Sequence, residues 1–254
     1  MTRIDLNSDL GEGFGPWRMG DDETMLSLVT SANVAAGGHA SDPETMFQTL
    51  TLAARRGVIV GAHPGYPDRE GFGRRVIPMT PDQIGRMVAA QIGALSALAA
   101  LAGTRVRYVK PHGALGNLAA ADADVAQGVA AAVRDIDRDL AILAISGTAL
   151  EHAARQAGVQ VFSEIFADRA YQPNGQLVPR SQPGAVLHDV DAVAQRLIAF
   201  LQDRRMPVIG GDPIELAADS ICVHSDTPGA VEMARLLRTR LDDTGVTVAP
   251  FLDR

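Results

Sequence analysis

Residues 31–63 read SANVAAGGHASDPETMFQTLTLAARRGVIVGAH, and this stretch decides the fold. Ser31–Ala35 is an apolar run of strand length. Asp42–Arg56 is a helical stretch closed by Gly57, where a left-handed C-cap is expected, and Val58–Ala62 is a second apolar run. Strand, helix and strand in this order mean parallel strands joined by a helical crossover. A histidine follows each strand, His39 after the first and His63 directly after the second.

The same alternation extends in both directions. Further strands are predicted at Ile4–Ser8, Val106–Lys110, Leu140–Ile145, Val159–Glu164 and Ser220–His224, with weaker candidates at Val208-Ile209 and Val246–Ala249. Helices are predicted at Asp22–Thr30, Thr80–Ala102, Asp122–Arg138, Thr148–Ala157, Asp189–Arg205 and Thr227–Thr244. Thr80-Pro81-Asp82-Gln83 and Asp212-Pro213-Ile214-Glu215 both carry an N-cap oxygen, a proline in the first turn and a carboxylate or amide at N3, so each is expected to start a helix. Gly103, Gly158 and Gly245 are expected to close helices as Gly57 does. The pattern suits a doubly wound open sheet or a closed β/α barrel. About seven units in 254 residues, with no linker or change of composition, favour one barrel-like domain over residues 1–254.

Composition narrows the function. The net charge of −7 argues against nucleic-acid and acidic-membrane partners, which need a basic face. A single cysteine, Cys222, excludes an internal disulfide and a cysteine-rich zinc module, and fits the reducing cytoplasm. Met87–Gly103 approaches the length of a membrane span but is mostly alanine with Gln91 and Ser96, and reads as a buried helix. No phosphate-cradling G-x-x-x-x-G-K-[ST] loop and no G-x-S-x-G nucleophile elbow is present, and mid-strand Cys222 reads as an inert thiol.

The polar chemistry gathers at strand ends. Four of the six histidines, His39, His63, His112 and His224, fall at or just beyond a strand C-terminus, together with Asp9, Glu12, Lys110, Glu164, Asp168, Arg169 and Asp226. In a parallel barrel these ends open on one face, so distant residues converge on one mouth. His152 and His188 lie on or beside helices and take a structural reading. Of 23 basic residues, 22 are arginine and one is Lys110, so a lone ammonium beside His112 points to proton transfer or to a compact contact with a developing oxyanion.

Several motifs together resemble the LamB/YcsF family. They are Asp5-Leu6-Asn7-Ser8-Asp9-Leu10-Gly11-Glu12-Gly13, Asn33-Val34-Ala35-Ala36-Gly37-Gly38-His39, Gly61-Ala62-His63-Pro64-Gly65-Tyr66-Pro67-Asp68, Val109-Lys110-Pro111-His112-Gly113, Phe166-Ala167-Asp168-Arg169 through Val178-Pro179-Arg180-Ser181, and Cys222-Val223-His224-Ser225-Asp226. The chain departs from the family pattern at Ser8 and Ala36, where cysteine is common, and at Gly38 and Gly116, where an aromatic is common. The resemblance implies a (β/α)7 TIM-like barrel of the glycoside hydrolase/deacetylase type. It also implies the activity of an ATP-dependent 5-oxoprolinase, with this chain in the place of the family's A component. That enzyme opens 5-oxo-L-proline to L-glutamate, with ATP as co-substrate and subunits B and C as partners. On this reading Asp9, Glu12, His39 and His63 handle water or a metal. Lys110 and His112 stabilise the oxyanion and move the proton. Arg169 and Arg180 hold a carboxylate or phosphate, and Tyr66, Asp68 and His224 complete the substrate side. Asp9, His39 and His63 could ligate a divalent metal, and a metal-free acid–base cluster is the alternative. Alanine at Lys110 or His112 is expected to lower turnover by orders of magnitude and leave the melting temperature nearly unchanged.

Two other functions compete. One is a metal-dependent amide or N-acetyl hydrolase acting on a carbohydrate, which one tryptophan and three tyrosines serve poorly as sugar platforms. The other is a non-catalytic protein that binds a small acid while its partners do the chemistry.

Overall fold

The computed structural model describes residues 3–225 and 229–253. Its elements are β1 (Arg3–Leu10), α1 (Asp22–Met25), β2 (Ser31–Ala35), α2 (Pro43–Arg56), β3 (Ile59–His63), α3 (Pro81–Leu101), β4 (Val106–Val109), α4 (Gly113–Ala121) and α5 (Ala123–Ile136). There follow β5 (Ala141–Ile145), α6 (Ala149–Gln156), β6 (Val161–Phe166), α7 (Val190–Asp203), β7 (Arg205–Met206), β8 (Ile214–Glu215), β9 (Ser220–Cys222), α8 (Ala230–Asp243) and β10 (Thr247–Val248). Strands β1 to β6 pair in sequence order, β6 pairs with β9, and β9 pairs back to β1, all in parallel. Seven strands therefore close a barrel, and the helices lie outside it. The open-sheet alternative is excluded. β10 adds to the barrel beside Arg3 and Ile4.

Period-two alternation explains the interior. On β1, Leu6 and Leu10 face outward into the main hydrophobic core, while Asp5, Asn7 and Asp9 face inward. Inward direction is shown by partners on strands that do not neighbour β1. Asn7 Nδ2 donates to Glu164 Oε1 of β6 at 2.9 Å, and Lys110 Nζ, just past β4, donates to Asp9 Oδ1 at 3.0 Å. Tyr108 OH of β4 likewise crosses to Asn33 Oδ1 of β2 at 2.6 Å. Opposite this polar column, Ile59, Tyr108, Ala141 and Leu143 form an apolar plug with Leu252, and Phe162 and Phe251 pack against it. Gly61 makes room for the plug, since a Cβ there would lie 2.2 Å from the Tyr108 ring.

Several expectations need correction. Asp212-Pro213-Ile214-Glu215 starts no helix, because Ile214 and Glu215 pair antiparallel with Met206 and Arg205 and this pairing overrides the local cap signal. Residues 113–121, for which no element is predicted, form α4. Val208 contributes only a bridge to Tyr171. The helix expected over Asp22–Thr30 ends at Met25. Asp226 and the expected helix start at Thr227 lie outside the described residues. The four closing glycines all have positive φ, between 65° and 75°. α3 is the one helix among the described residues long and apolar enough to cross a membrane, but it is a barrel helix with one packed face, Ile84, Val88, Ile92, Leu95 and Ala99. Only 33% of its most apolar window is buried, so it is less enclosed than its composition suggests.

The column has a pH signature at its lower end. Burial raises the Asp5 carboxyl from 3.8 to about 6, against hydrogen bonds from Ser220, Thr30 and Ser31. The native state then holds the proton more tightly than the unfolded chain. The resulting stabilisation is full below pH 3.8 and is lost as pH rises through about 6. Asp5→Asn should therefore lose less stability than the wild type between about pH 4 and about pH 7, by up to about 3 kcal/mol. Urea melts across that range test this, and parallel curves for the two proteins would refute it.

Candidate active site

The strand ends deliver the polar residues to one mouth. Asp9 lies near the end of β1 and Glu12 on the loop after it, while His39 follows β2 and His63 closes β3. Lys110 follows β4, Glu164 lies on β6, and His224 stands two residues beyond β9. His112 is the N-cap residue of α4, and its backbone N–H donates to Pro64 O at 2.8 Å. Asp9, His63, Lys110, His112, Glu164, Arg169, Arg180 and His224 line one cavity of about 440 Å³, along with Arg74 and Phe166.

On one side of the mouth sit three buried imidazoles. The His39 and His112 rings stack at 3.5 Å between centroids with planes 3° apart, and His63 stands edge-on to both. Glu12 Oε1 lies 3.0 Å from His39 Nε2 and 3.6 Å from His112 Nδ1. The loop after β3 can wrap this closely because of its glycines. A Cβ at Gly65 would fall 2.7 Å from His39 Nδ1, and one at Gly73 would fall 2.6 Å from His39 Cβ. Gly38 and Gly116 are equally enclosed. A Cβ at Gly38 would sit 2.5 Å from Gln91 Oε1, and the Gln91 amide holds the Gly65 backbone at both N and O. Burial, followed by the neighbouring imidazoles, holds His39 and His112 well below the ordinary histidine range.

The centre of the mouth is Lys110. Its ammonium lies 3.0 Å from Asp9 Oδ1, 2.9 Å from Glu164 Oε1 and 3.1 Å from Cys222 Sγ. Burial alone would lower its pKa, but Asp9 and Glu164 outweigh burial and hold it well above the ordinary value. Burial alone would also raise Asp9, which His63 and Lys110 instead hold well below the carboxylate range. Glu164 is raised, because burial outweighs Lys110, and its Oε2 is buried without a partner. Burial keeps Cys222 a protonated thiol, in accord with the inert reading.

On the far side, His224 Nδ1 contacts Asp168 Oδ1 at 2.8 Å and Oδ2 at 3.0 Å, which turns Nε2 toward Asp9 Oδ2, 4.0 Å away. Arg169 is buried, and it donates from Nε to Ala185 O and from Nη2 to Val178 O, so much of its fork fastens the loop that carries Arg180. Tyr66 and Asp68 are not among the residues that line the cavity. Asp68 instead binds Arg75 and accepts from Gly71 N, which shapes the loop after β3. His152 and His188 are exposed and do not line the main cavity, although His188 borders a smaller pocket beside Asp168 and His224. Asn7 and Asn33, which lie within the family motifs but carry no expected role, bridge Asp9, Glu164 and Tyr108. Their signal lies in the alternation of Asp5, Asn7 and Asp9 along β1.

Two groups of side chains have ligand atoms close enough to share a cation: Glu12, His39, His63 and His112, and separately Asp9, Cys222 and His224. His39 and His63 thus gather with Glu12 and His112, and Asp9 belongs to the other group. In that second group the Lys110 ammonium already lies against both Asp9 and Cys222 and would repel a metal ion.

Hydrogen-bond partners assign the imidazole protons. His63 Nδ1 faces Lys110 O at 2.7 Å and His112 Nε2 faces Phe72 O at 2.8 Å, and a carbonyl can only accept. Nitrogen-15 NMR of the imidazoles should show protons on His63 Nδ1, His112 Nε2 and His224 Nδ1. A different tautomer at any of the three would show that its ring is held differently.

Known proteins share this architecture. The LamB/YcsF family model matches residues 4–254. The A component of a 5-oxoprolinase from Rhodopseudomonas palustris is 51% identical over 252 residues, covering 99% of each chain. The crystal structure of a lactam utilization protein from Thermus thermophilus superposes with a TM-score of 0.92 at 40% identity, covering 98% of this chain and 99% of that one. The catalytic domain of a peptidoglycan N-acetylglucosamine deacetylase from Eubacterium rectale shares the fold alone, with a TM-score of 0.53 at 11% identity, covering 98% of this chain and 88% of that one. A closed barrel with this mouth, matched from end to end by one family, leaves one assignment: the chain belongs to the LamB/YcsF family.

Proposed function

We propose that this chain is the catalytic A component of an ATP-dependent 5-oxoprolinase, opening the lactam of 5-oxo-L-proline to L-glutamate in the cytoplasm together with subunits B and C. One observation carries the reading. A permanently charged ammonium is held between two carboxylates at the floor of a cavity of about 440 Å³, facing an Asp168–His224 pair. The relatives' names, a 5-oxoprolinase component and a lactam utilization protein, supply the substrate class. Phe166 is the only carbocyclic aromatic among the described residues that line the cavity, which suits a small acid better than a sugar.

A five-membered lactam is a resonance-stabilised amide, so ring opening gains from coupling to ATP. Transfer of the γ-phosphoryl group to the lactam oxygen releases ADP and leaves an imidate-like phosphate. Water adds to its carbon, a second water completes hydrolysis to phosphate, and cleavage of the carbon–nitrogen bond frees the amine of glutamate.

The residues fit the later steps. His224 Nε2, oriented by Asp168, takes the proton of the attacking water. Lys110 stabilises the oxyanion, and its raised pKa makes it a fixed charge and not a proton carrier. Glu164 stays paired with Lys110 as a carboxylate, and the imidazolium formed at His224 returns its proton to the departing nitrogen. Arg180, with Arg74 beside it, receives the substrate carboxylate or the phosphoryl group.

The test is glutamate release from 5-oxoproline by this chain combined with subunits B and C. Release should require ATP and all three proteins, and His224→Gln should lower turnover by about 10²–10⁴-fold without unfolding the chain. Full release without this chain would overturn the proposal. Lys110→Ala should lose activity and also about 3–5 kcal/mol of stability, because Asp9 and Glu164 are left buried and unpaired. That stability loss replaces the nearly unchanged melting temperature expected from sequence.

A further inference from the structure

The contact between His63 and His112 does not balance as it stands. With His63 Nδ1 and His112 Nε2 committed to backbone carbonyls, each ring has one nitrogen left, and those two nitrogens face each other at 3.0 Å. In neutral rings both carry lone pairs, and two lone pairs at that distance repel. A positive centre shared between them turns the repulsion into attraction.

We propose that His63 Nε2, His112 Nδ1 and Glu12 bind one divalent transition-metal ion, with His39 as a positioning residue and not a ligand. Glu12 Oε1 lies 3.6 Å from His112 Nδ1, and the three donors all fall within 4.8 Å of one another. Bonds of about 2.0–2.1 Å in a tetrahedral site put donor atoms about 3.3–3.4 Å apart, which the observed 3.0 and 3.6 Å bracket. Both carbonyl contacts already fix the tautomers that a metal requires.

Ring geometry excludes His39. An imidazole binds a metal in its own plane, and the His39 and His112 planes are parallel with centroids 3.5 Å apart. An ion in the plane of His112 therefore lies well out of the plane of His39. His39 Nε2 instead donates to Glu12 Oε1 at 3.0 Å and aims that carboxylate. Two imidazoles and one carboxylate suit zinc or cobalt over magnesium or calcium, which prefer oxygen donors throughout. Asp9 Oδ2, of the carboxylate pair around Lys110, lies 3.5 Å from His63 Nε2 and so adjoins the site, which does not depend on the lactam reading.

Cobalt(II) titration of the chelator-treated chain tests this without substrate, ATP or partner proteins. The expected result is one cobalt per chain, with the visible absorption bands of a four- or five-coordinate ion. Glu12→Gln and His112→Gln should each weaken binding by more than the about 10–100-fold that an outer-shell change costs, and His39→Gln should stay within that range. Asp135→Asn, at an exposed position on α5, should bind as the wild type does. Failure of the wild type to bind cobalt would show that a shared proton occupies the His63–His112 contact and would end the proposal. Equal loss in the His39 and His112 variants would overturn the donor set.

Discussion

The ion cluster around Lys110 is the constraint on which the barrel depends. One ammonium, two carboxylates and two asparagines are enclosed where the strands converge, and all five side chains are buried. A buried carboxylate without a partner costs several kcal/mol, so the complete cluster stabilises the closed barrel. Its members come from β1, β2, β6 and the end of β4, so the same interaction that settles the charge also sets the strand register. Lysine suits this position better than arginine because a compact point charge can touch Asp9 and Glu164 together inside a narrow barrel.

Around that centre the mouth divides by chemistry. The imidazoles with Glu12 lie on one side, where the loop after β3 folds over them. The Asp168–His224 pair lies on the other, held by a loop that Arg169 fastens through backbone carbonyls. Arg74 and Arg180 complete the lining. An anionic substrate entering there would meet positive charge before it met the floor, and Lys110 is the only cation among the described residues held at depth between carboxylates.

Much of this is legible in the residues themselves. The seven barrel strands match the expected apolar runs to within two residues at either end, because parallel strands covered by helices need continuous apolar sequence. The failures have local causes. α4 is hidden by Gly113 and Gly116, which lower helix propensity. Gly116 is nonetheless required, since a Cβ there would lie 2.6 Å from Pro111 O. At residues 212–215 a sound N-cap pattern loses to pairing between β7 and β8, an interaction that no local window contains.

Sequence by itself determined the alternation of strand and helix, the closing glycines and the presence of histidines, acids and a lone lysine at strand ends. Those features follow from periodicity and position along the chain. Only the tertiary structure decided which of them meet. It grouped Glu12 and His112 with His63, set Asp9 between His63 and Lys110, turned Asp68 away to Arg75 and committed Arg169 to its own loop. The physical reason is that distances of about 3 Å between side chains depend on loop paths and ring orientations, and these are set by packing among segments that lie far apart along the chain.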